Sequence, residues 1–464
     1  MATDGMENDA KARLKQWLSS GQARLQPLTF PQRELWENSP IAPGGPGNHI
    51  CSFFEINGPV TLELCETAVS KVVQRQEAMR TSFLPGKDRP LQIIRSTGET
   101  VIRHLKLSRD ESRPEAMQEI MAQDFRKPFD FLRGPLYRMS LLERGENDFL
   151  FAFTIHHAVA DGWTLGAFVE DLCTAYILAL QASGKTVGSV SGIREALPPL
   201  QMTHTEWGAA ERARWTPAEI ERLAGYWRDR LQGSRQLWDA APAGQGEAES
   251  LQQWVTAIPE KLADRIRLLA RKSGATLFST LLTAFQLTLH RWTGIEDITV
   301  GSPVANRNRS AVRETMGYFA GVIPLRGIID PDQTFLDRIQ SVHEKTMDDF
   351  AHAMPFAELV KALDRSPEPG GHAVFDTRFA FQNHPIPDVV LPGISTKLRT
   401  SSTGTARFDI GCELTEDGKE FEVVWLHRPS VLSELMIGEL DGLFQKMLGA
   451  MCDHPDTPCT SLSL

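Results

Sequence analysis

The feature that most constrains this sequence is a junction between an apolar run and a helical pattern. Residues 148–156 (DFLFAFTIH) carry no formal charge after Asp148 and are rich in aromatic and β-branched side chains, which predicts a strand buried on both faces. From Thr164 the apolar residues recur with helical spacing as far as Gly184. A buried strand that passes through a short turn into a helix is typical of mixed α/β proteins.

The same alternation occurs on both sides of this junction. The chain has 464 residues, more than the roughly 250–300 at which a single hydrophobic core stops growing, so we expect two lobes. Residues 184–200, rich in Gly, Ser and Pro, are the predicted crossover between them. The predicted strands lie at 50–56, 251–258 and 297–300, and the predicted helices at 10–20, 62–80, 216–231, 260–272 and 275–291.

Charge and composition exclude several classes of protein. Lys and Arg number 49 against 59 Asp and Glu, a net charge of −10, which disfavours a nucleic-acid partner. The most apolar stretch, 275–289, is too short to cross a membrane, and the N-terminus lacks the apolar core of a secretory signal. Six cysteines without a CxxC pair favour a reducing compartment, so we expect a cytoplasmic protein with no membrane contact.

Residues 156–163 (HHAVADGW) form the turn of the junction. They allow a purely structural interpretation, in which Gly162 adopts a positive φ, Asp161 or Thr164 caps the helix, and both histidines are buried. A metal site is disfavoured because no second cluster of ligands has suitable spacing. A catalytic interpretation is also open, since a histidine can accept a proton near neutral pH and the Gly162 amide can stabilise an oxyanion.

Several further motifs resemble those of one known family. HHAVADGW fits the pattern HHxxxDG at every fixed position, and the chain resembles the condensation domains of nonribosomal peptide synthetases, within the chloramphenicol acetyltransferase-like superfamily. The expected fourth motif is only echoed by HTEW at 204–207. The other matching segments, in family order, are PLTFPQRELW at 27–36, RQEAMRTSF at 75–83, VGSPVANR at 300–307, MGYFAGVIPLR at 316–326, and MPFAEL at 354–359 with FAFQN at 379–383.

The resemblance implies an α/β fold with two chloramphenicol acetyltransferase-like lobes, arranged as a V-shaped pseudo-dimer around a central tunnel. We expect an N-terminal extension at 1–26, an N-terminal lobe at 27–190 that carries HHxxxDG, and a C-terminal lobe at 191–464 with floor-loop and latch-like segments. The N-terminal extension is either a docking helix for a partner or a helix packed on its own lobe.

The resemblance also implies roles for single residues. His157 is expected to face the substrate, while His156 on the opposite face of the strand is structural. Asp161 is expected to pair with Arg307 and to hold the site together. Gly162 is expected to take part in catalysis through its amide. Trp163 and Asn383 are expected to line the tunnel.

The implied activity is transfer of an acyl group from the phosphopantetheine thioester of an acyl or peptidyl carrier protein to an amine or a hydroxyl. The family's heterocyclising branch replaces the histidine pair with aspartates, so cyclisation is disfavoured, and no EGHGR-like motif indicates epimerisation. We expect no bound cofactor, a monomer, and a free-standing enzyme, because the chain starts at Met1 and ends where the resemblance ends. The alternatives are a coenzyme A-dependent acyltransferase and a non-catalytic platform that binds carrier proteins.

Overall fold

A computed structural model describes residues 14–37, 44–84, 90–184, 194, 196–238, 252–365, 373–382, 393–401 and 408–461. These residues form a mixed α/β structure with a large hydrophobic core in each half of the chain. The first core is built mainly from residues 28–180, and the second from residues 237–459. The predicted α/β class is therefore present in both halves.

The N-terminal half alternates strands and helices from residue 23 to residue 182. Its elements are β1 (Ala23–Pro27), α1 (Phe30–Glu37), β2 (His49–Asn57), α2 (Leu62–Arg75), β3 (Thr81–Leu84), β4 (Leu91–Arg95), β5 (Ile102–Lys106), α3 (Pro114–Arg126), β6 (Tyr137–Gly145), β7 (Asp148–His156) and α4 (Gly162–Ala182).

The C-terminal half continues in the same style. Its elements are α5 (His204–Arg214), α6 (Pro217–Arg230), β8 (Gln252–Ile258), α7 (Glu260–Lys272), α8 (Leu277–Thr293), β9 (Asp297–Val304), β10 (Gly321–Ile328), α9 (Phe335–Ala351), α10 (Phe356–Ala362), β11 (Thr377–Gln382), β12 (Ser395–Ser401), β13 (Ile410–Asp417), β14 (Glu420–His427) and α11 (Glu434–Asp453).

The strands form three sheets, one of which draws on both halves of the chain. A small sheet has the order β1-β4-β3, and a six-stranded sheet has the order β10-β9-β11-β13-β14-β8. The five-stranded sheet has the order β12-β2-β7-β6-β5, so β12 from the second half pairs antiparallel with β2 from the first. β1 lies across the predicted boundary at residue 26 and pairs with β4, which makes it part of the N-terminal lobe.

Most of the predicted elements are present, but the helix predicted at 62–80 ends at Arg75. The reason is a buried glutamine. Gln76 is extended, and its side chain donates to Asp171 at 2.7 Å and accepts from the Met316 N–H at 2.9 Å. These bonds hold the residue out of helical conformation. The crossover predicted at 184–200 lies largely outside the described residues.

A charge network joins the two halves near this point. Arg75 donates to Asp171 at 2.7 Å and to Glu314 at 2.6 Å, and Arg194 donates to the same two carboxylates. The Arg75 side chain is 5% exposed and that of Asp171 is fully buried. Since Asp171 lies on α4 and Glu314 follows β9, the network fixes α4 against the second half of the chain.

Two helices bear on the expectations about partners and membranes. Residues 14–19 are helical, and Leu14 packs with Ala23 and Ile93 of the N-terminal lobe, so this part of the extension covers its own lobe. Residues 10–13 of that predicted helix lie outside the described residues. Among the described helices, α4 alone has the length and hydropathy of a membrane span, and 72% of its apolar window is buried inside the protein.

Candidate active site

The junction between β7 and α4 carries the histidine pair. β7 ends at His156, a single 3₁₀ turn covers His157–Val159, and Ala160 and Asp161 are extended. Gly162 then begins α4. The prediction that Gly162 adopts a positive φ is wrong, because the 3₁₀ turn and the two extended residues already change the direction of the chain.

His156 is enclosed by protein on all sides. Its side chain is fully buried, and its Nδ1 accepts a hydrogen bond from the Ala158 N–H at 3.0 Å. The ring lies edge-on to Phe131 at 4.8 Å and to His49 at 5.5 Å, measured between ring centroids. Because Nδ1 accepts the bond from Ala158, the ring proton lies on Nε2. This fixed tautomer and the closed aromatic environment are features of a structural histidine.

His157 has a different environment, since its side chain is partly exposed. Its ring lies edge-on to Tyr318 from the second half of the chain, with centroids 4.5 Å apart and an interplanar angle of 67°. The Nδ1 atom is buried, which leaves Nε2 as the nitrogen that can face a substrate. The two histidines therefore differ in burial, but the expectation that they alternate along one strand is wrong, because β7 ends at His156 and His157 lies in the 3₁₀ turn.

Asp161 caps α4 and is turned towards the second half of the chain. Its Oδ1 accepts from the Thr164 N–H at 2.9 Å, and its Oδ2 accepts from the amides of Phe319 and Ala320 at 3.1 and 3.3 Å. The Thr164 hydroxyl oxygen accepts in turn from the Asp161 N–H at 3.2 Å, which completes a capping box. These contacts tie Asp161 to the start of α4 and to residues 319 and 320 of the second half of the chain.

Arg307 is the counterion of this carboxylate. Its Nη2 lies 3.0 Å from Asp161 Oδ1, and both side chains are 3% exposed. Burial alone would favour protonated Asp161, but the Arg307 charge and the amide donors outweigh it, so the pKa of the carboxyl is lower than usual. The same guanidinium donates to the carbonyls of Val312 and Thr315 at 2.8 Å and covers the Phe319 ring at 4.0 Å.

Residues 305–320, which connect β9 to β10, supply most of these contacts, and we call them the site loop. Besides Arg307 and Phe319, the site loop positions Gly317, whose carbonyl accepts from the Thr164 hydroxyl at 2.9 Å. Tyr318 belongs to a motif identified in the sequence, but its contact with His157 was not predicted. The contact joins residues far apart in the chain, and no periodic pattern reports it.

His204 was also missed as a part of the site. Its side chain is 3% exposed, and its Nε2 lies 3.1 Å from the carbonyl oxygen of Tyr318. Burial lowers the pKa of His204 to about 4, so the ring is neutral near pH 7 and Nε2 donates to this carbonyl. The only sequence signal was the HTEW segment at 204–207.

Trp163 and Asn383 were expected to line a tunnel. The Trp163 indole donates from Nε1 to the Arg313 carbonyl at 3.2 Å, which places the ring against the site loop. Asn383 lies outside the described residues. Within the described part of the chain, no group of three or more His, Cys, Asp or Glu side chains is arranged to hold a metal ion.

Curated relatives of this chain are large synthetases. The phosphinothricin tripeptide synthetase PhsC of Streptomyces viridochromogenes is 31% identical over 404 residues, which cover 84% of this chain and 36% of the relative. A linear gramicidin synthase of Brevibacillus parabrevis is 29% identical, with 94% of this chain and 9% of the relative covered. The chain thus spans a minor part of the length of these relatives.

Solved structures share the fold at lower identity. SgcC5 from Streptomyces globisporus superposes with a TM-score of 0.77 at 22% identity, covering 93% of this chain and all of that one. The X-domain from teicoplanin biosynthesis gives 0.80 at 18% identity, covering 94% and 97%. Residues 22–464 match the Condensation domain family, and this chain therefore belongs to the family of condensation domains found in nonribosomal peptide synthetases.

Proposed function

We propose that this chain transfers an acyl group from the phosphopantetheine thioester of a carrier protein to an amine or hydroxyl acceptor. The observation that carries the proposal is the partly exposed ring of His157, which lies edge-on to Tyr318 in the 3₁₀ turn that precedes α4. A histidine whose Nε2 can face a substrate has the chemistry to accept a proton from an acceptor bound there.

In the proposed reaction the acceptor attacks the thioester carbonyl while His157 Nε2 takes or directs its proton. The tetrahedral intermediate then collapses, the carbon–sulfur bond breaks, and the proton passes to the departing pantetheine thiolate. The product is an amide or an ester. Positioned proton transfer of this kind contributes about 10²- to 10⁴-fold to the rate.

Gly162 is the proposed donor to the developing oxyanion. As the first residue of α4, its N–H has no acceptor within the helix, and it lies at the positive end of the helix dipole. Asp161, which caps the same helix and pairs with Arg307, is proposed to hold this amide and His157 in place without touching the substrate.

The acceptor is the finer part of the proposal. The synthetases that this chain resembles carry names of peptide products, which supports an amine acceptor. SgcC5 was crystallised with an aryl-1,2-ethanediol, which supports a hydroxyl acceptor. For either acceptor we propose a carrier protein as partner, no resident cofactor, a monomeric enzyme and a cytoplasmic location.

Two alternatives remain within the proposal. A coenzyme A thioester can replace the carrier-bound donor, since both present the same pantetheine arm. A platform that binds proteins without catalysis is supported by the X-domain, which was solved in complex with OxyB. The partly exposed His157 at an intact HHxxxDG motif favours catalysis over the platform.

The test is single-turnover transfer from an acyl-loaded carrier protein to matched amine and hydroxyl acceptors. His157→Ala should lose most activity while keeping the fold, and the loss should be greater with the hydroxyl, which must give up its proton during attack. His104→Ala, at a partly exposed histidine paired with Glu143, is the matched control. His156→Ala should lower stability. Near wild-type rates for His157→Ala with a hydroxyl would refute His157 as the base. If the wild-type enzyme used acyl-coenzyme A as fast as the acyl carrier protein, coenzyme A would be favoured as the donor.

A further inference from the structure

Asn306 precedes Arg307 and has an unusual backbone conformation. Its φ is 51°, in the left-handed region, which few residues other than glycine and asparagine adopt readily. Its side-chain Nδ2 donates to the carbonyl oxygen of Phe319 at 2.9 Å. One residue therefore combines a turn of the backbone with a bond across the site loop.

The register of the adjacent strands explains this bond. β9 and β10 pair antiparallel as far as Val304 opposite Gly321, and the same register continued by two residues would place Asn306 opposite Phe319. At Asn306 the backbone turns out of the ladder and the side chain bridges the two strands instead. A Cβ atom on Gly321 would lie 2.9 Å from Asn306 Nδ2, so the amide packs directly on that glycine.

This bridge closes the base of the site loop, and both ends of the loop reach Asp161. On one side Arg307 donates to Oδ1 at 3.0 Å, and on the other the Phe319 amide donates to Oδ2 at 3.1 Å. Tyr318, whose ring contacts His157, lies beside the bridged carbonyl. A shift of one strand end against the other would move all three contacts together.

We propose that Asn306 is a positioning residue for the transfer reaction, which closes the site loop so that Tyr318 orients His157. The activity part of this inference rests on the proposed function, whereas the closure of the loop does not. Asn306 touches neither the histidine nor the capping carboxylate, so its effect passes through the loop.

Two substitutions separate the backbone turn from the hydrogen bond. Asn306→Gly keeps access to the left-handed conformation and removes the amide. Asn306→Asp keeps the shape and tolerates the same φ, but places a carboxylate against the Phe319 carbonyl, to which it cannot donate when ionised. Asn147→Gly is the matched control, because Asn147 has a φ of 59° in the turn between β6 and β7, away from the site.

The first measurement is amide hydrogen exchange by mass spectrometry in the full chain. Both Asn306 variants should exchange the 317–320 amides faster than wild type, whereas Asn147→Gly should leave them unchanged. The second is steady-state transfer: kcat should fall about tenfold in both Asn306 variants with KM for donor and acceptor unchanged, the loss expected for one orienting hydrogen bond.

Unchanged exchange in the site loop of both Asn306 variants would overturn the proposal, and so would an unchanged kcat in an active enzyme. A fall in melting temperature that matches Asn147→Gly, with kcat and KM both preserved, would show a merely structural residue and also overturn it. If wild type transfers no acyl group, the proposed function fails, and the exchange comparison still decides whether Asn306 closes the loop.

Discussion

Replacing Asp161 by alanine should destabilise the protein more than any other single change at the site. The carboxylate and Arg307 are both 3% exposed, so the mutation leaves a buried guanidinium without its counterion. It also removes the acceptor of the Thr164, Phe319 and Ala320 amides. Breaking a buried pair in this way costs about 3–5 kcal/mol of unfolding free energy.

The matched variants test the origin of this loss. Asp161→Asn keeps the shape and removes the charge, and its amide nitrogen opposes either Arg307 or the two site-loop amides, so we expect an intermediate loss. Arg307→Met removes the other partner. In the double variant Asp161→Ala/Arg307→Met no charge is left uncompensated, so the combined loss should be at least about 1 kcal/mol smaller than the sum of the single losses.

Urea unfolding followed by circular dichroism gives the free energies, with the slope of each transition compared to check that the same surface unfolds. A loss below about 1 kcal/mol in Asp161→Ala, combined with complete loss of transfer, would refute the reasoning, because it would mean that the carboxylate acts in the chemistry. Additive losses in the double variant would refute the ion pair as the cause.

Three further predictions concern pH and the N-terminus. Because the pKa of Asp161 is lowered in the folded protein, the carboxylate contributes its full stability above the unfolded pKa near 3.9, and this contribution is lost as pH falls through the folded pKa. The free energy of unfolding of Asp161→Asn should therefore fall less in acid than that of wild type. The pKa of His204 is about 4 in the folded protein and near 6.5 in the unfolded chain, so its burial costs about 2 kcal/mol at pH 5 and nothing at pH 8. His204→Gln, which keeps a donor for the Tyr318 carbonyl, should therefore lose less stability than wild type when pH falls from 8 to 5. An unchanged pH dependence would contradict this. Deleting residues 1–19 removes Leu14 from its contact with Ala23 and Ile93, so the melting temperature should fall. Transfer from a carrier-bound donor and transfer from a small thioester should decline equally. A loss confined to the carrier-bound donor would instead indicate a docking element.

The parts that the sequence predicted well are those with a strong local pattern. β7 was predicted with its observed bounds, because an uncharged aromatic run between turns has few other interpretations. The preference of such residue types for N-caps predicted Asp161 or Thr164 as the cap of α4, and the structure has Asp161. The pairing of Asp161 with Arg307 came from the resemblance of two separate motifs, and a local pattern alone would not have given it.

The parts that could not be predicted depend on contacts between distant segments. The end of α2 is set by two bonds of Gln76, which donates to Asp171 and accepts from the Met316 N–H. These bonds override a helical pattern that continues beyond Arg75. The turn at Gly162 was assigned a positive φ from residue type, but a 3₁₀ turn can reverse the chain without it. The Tyr318 contact with His157 has no local signature at all.

The pairing of β12 with β2 has a consequence for synthesis of the protein. Residues 51–57 of β2 pair with residues 395–401, so the five-stranded sheet is incomplete until residues 395–401 have been synthesised. At about 5–20 residues per second, a ribosome needs roughly 20–70 s to make the intervening chain. During that interval the edge of β2 is open to other strands, so a nascent chain released early should aggregate through this edge. Any attempt to express the first half alone would need to supply a substitute for β12.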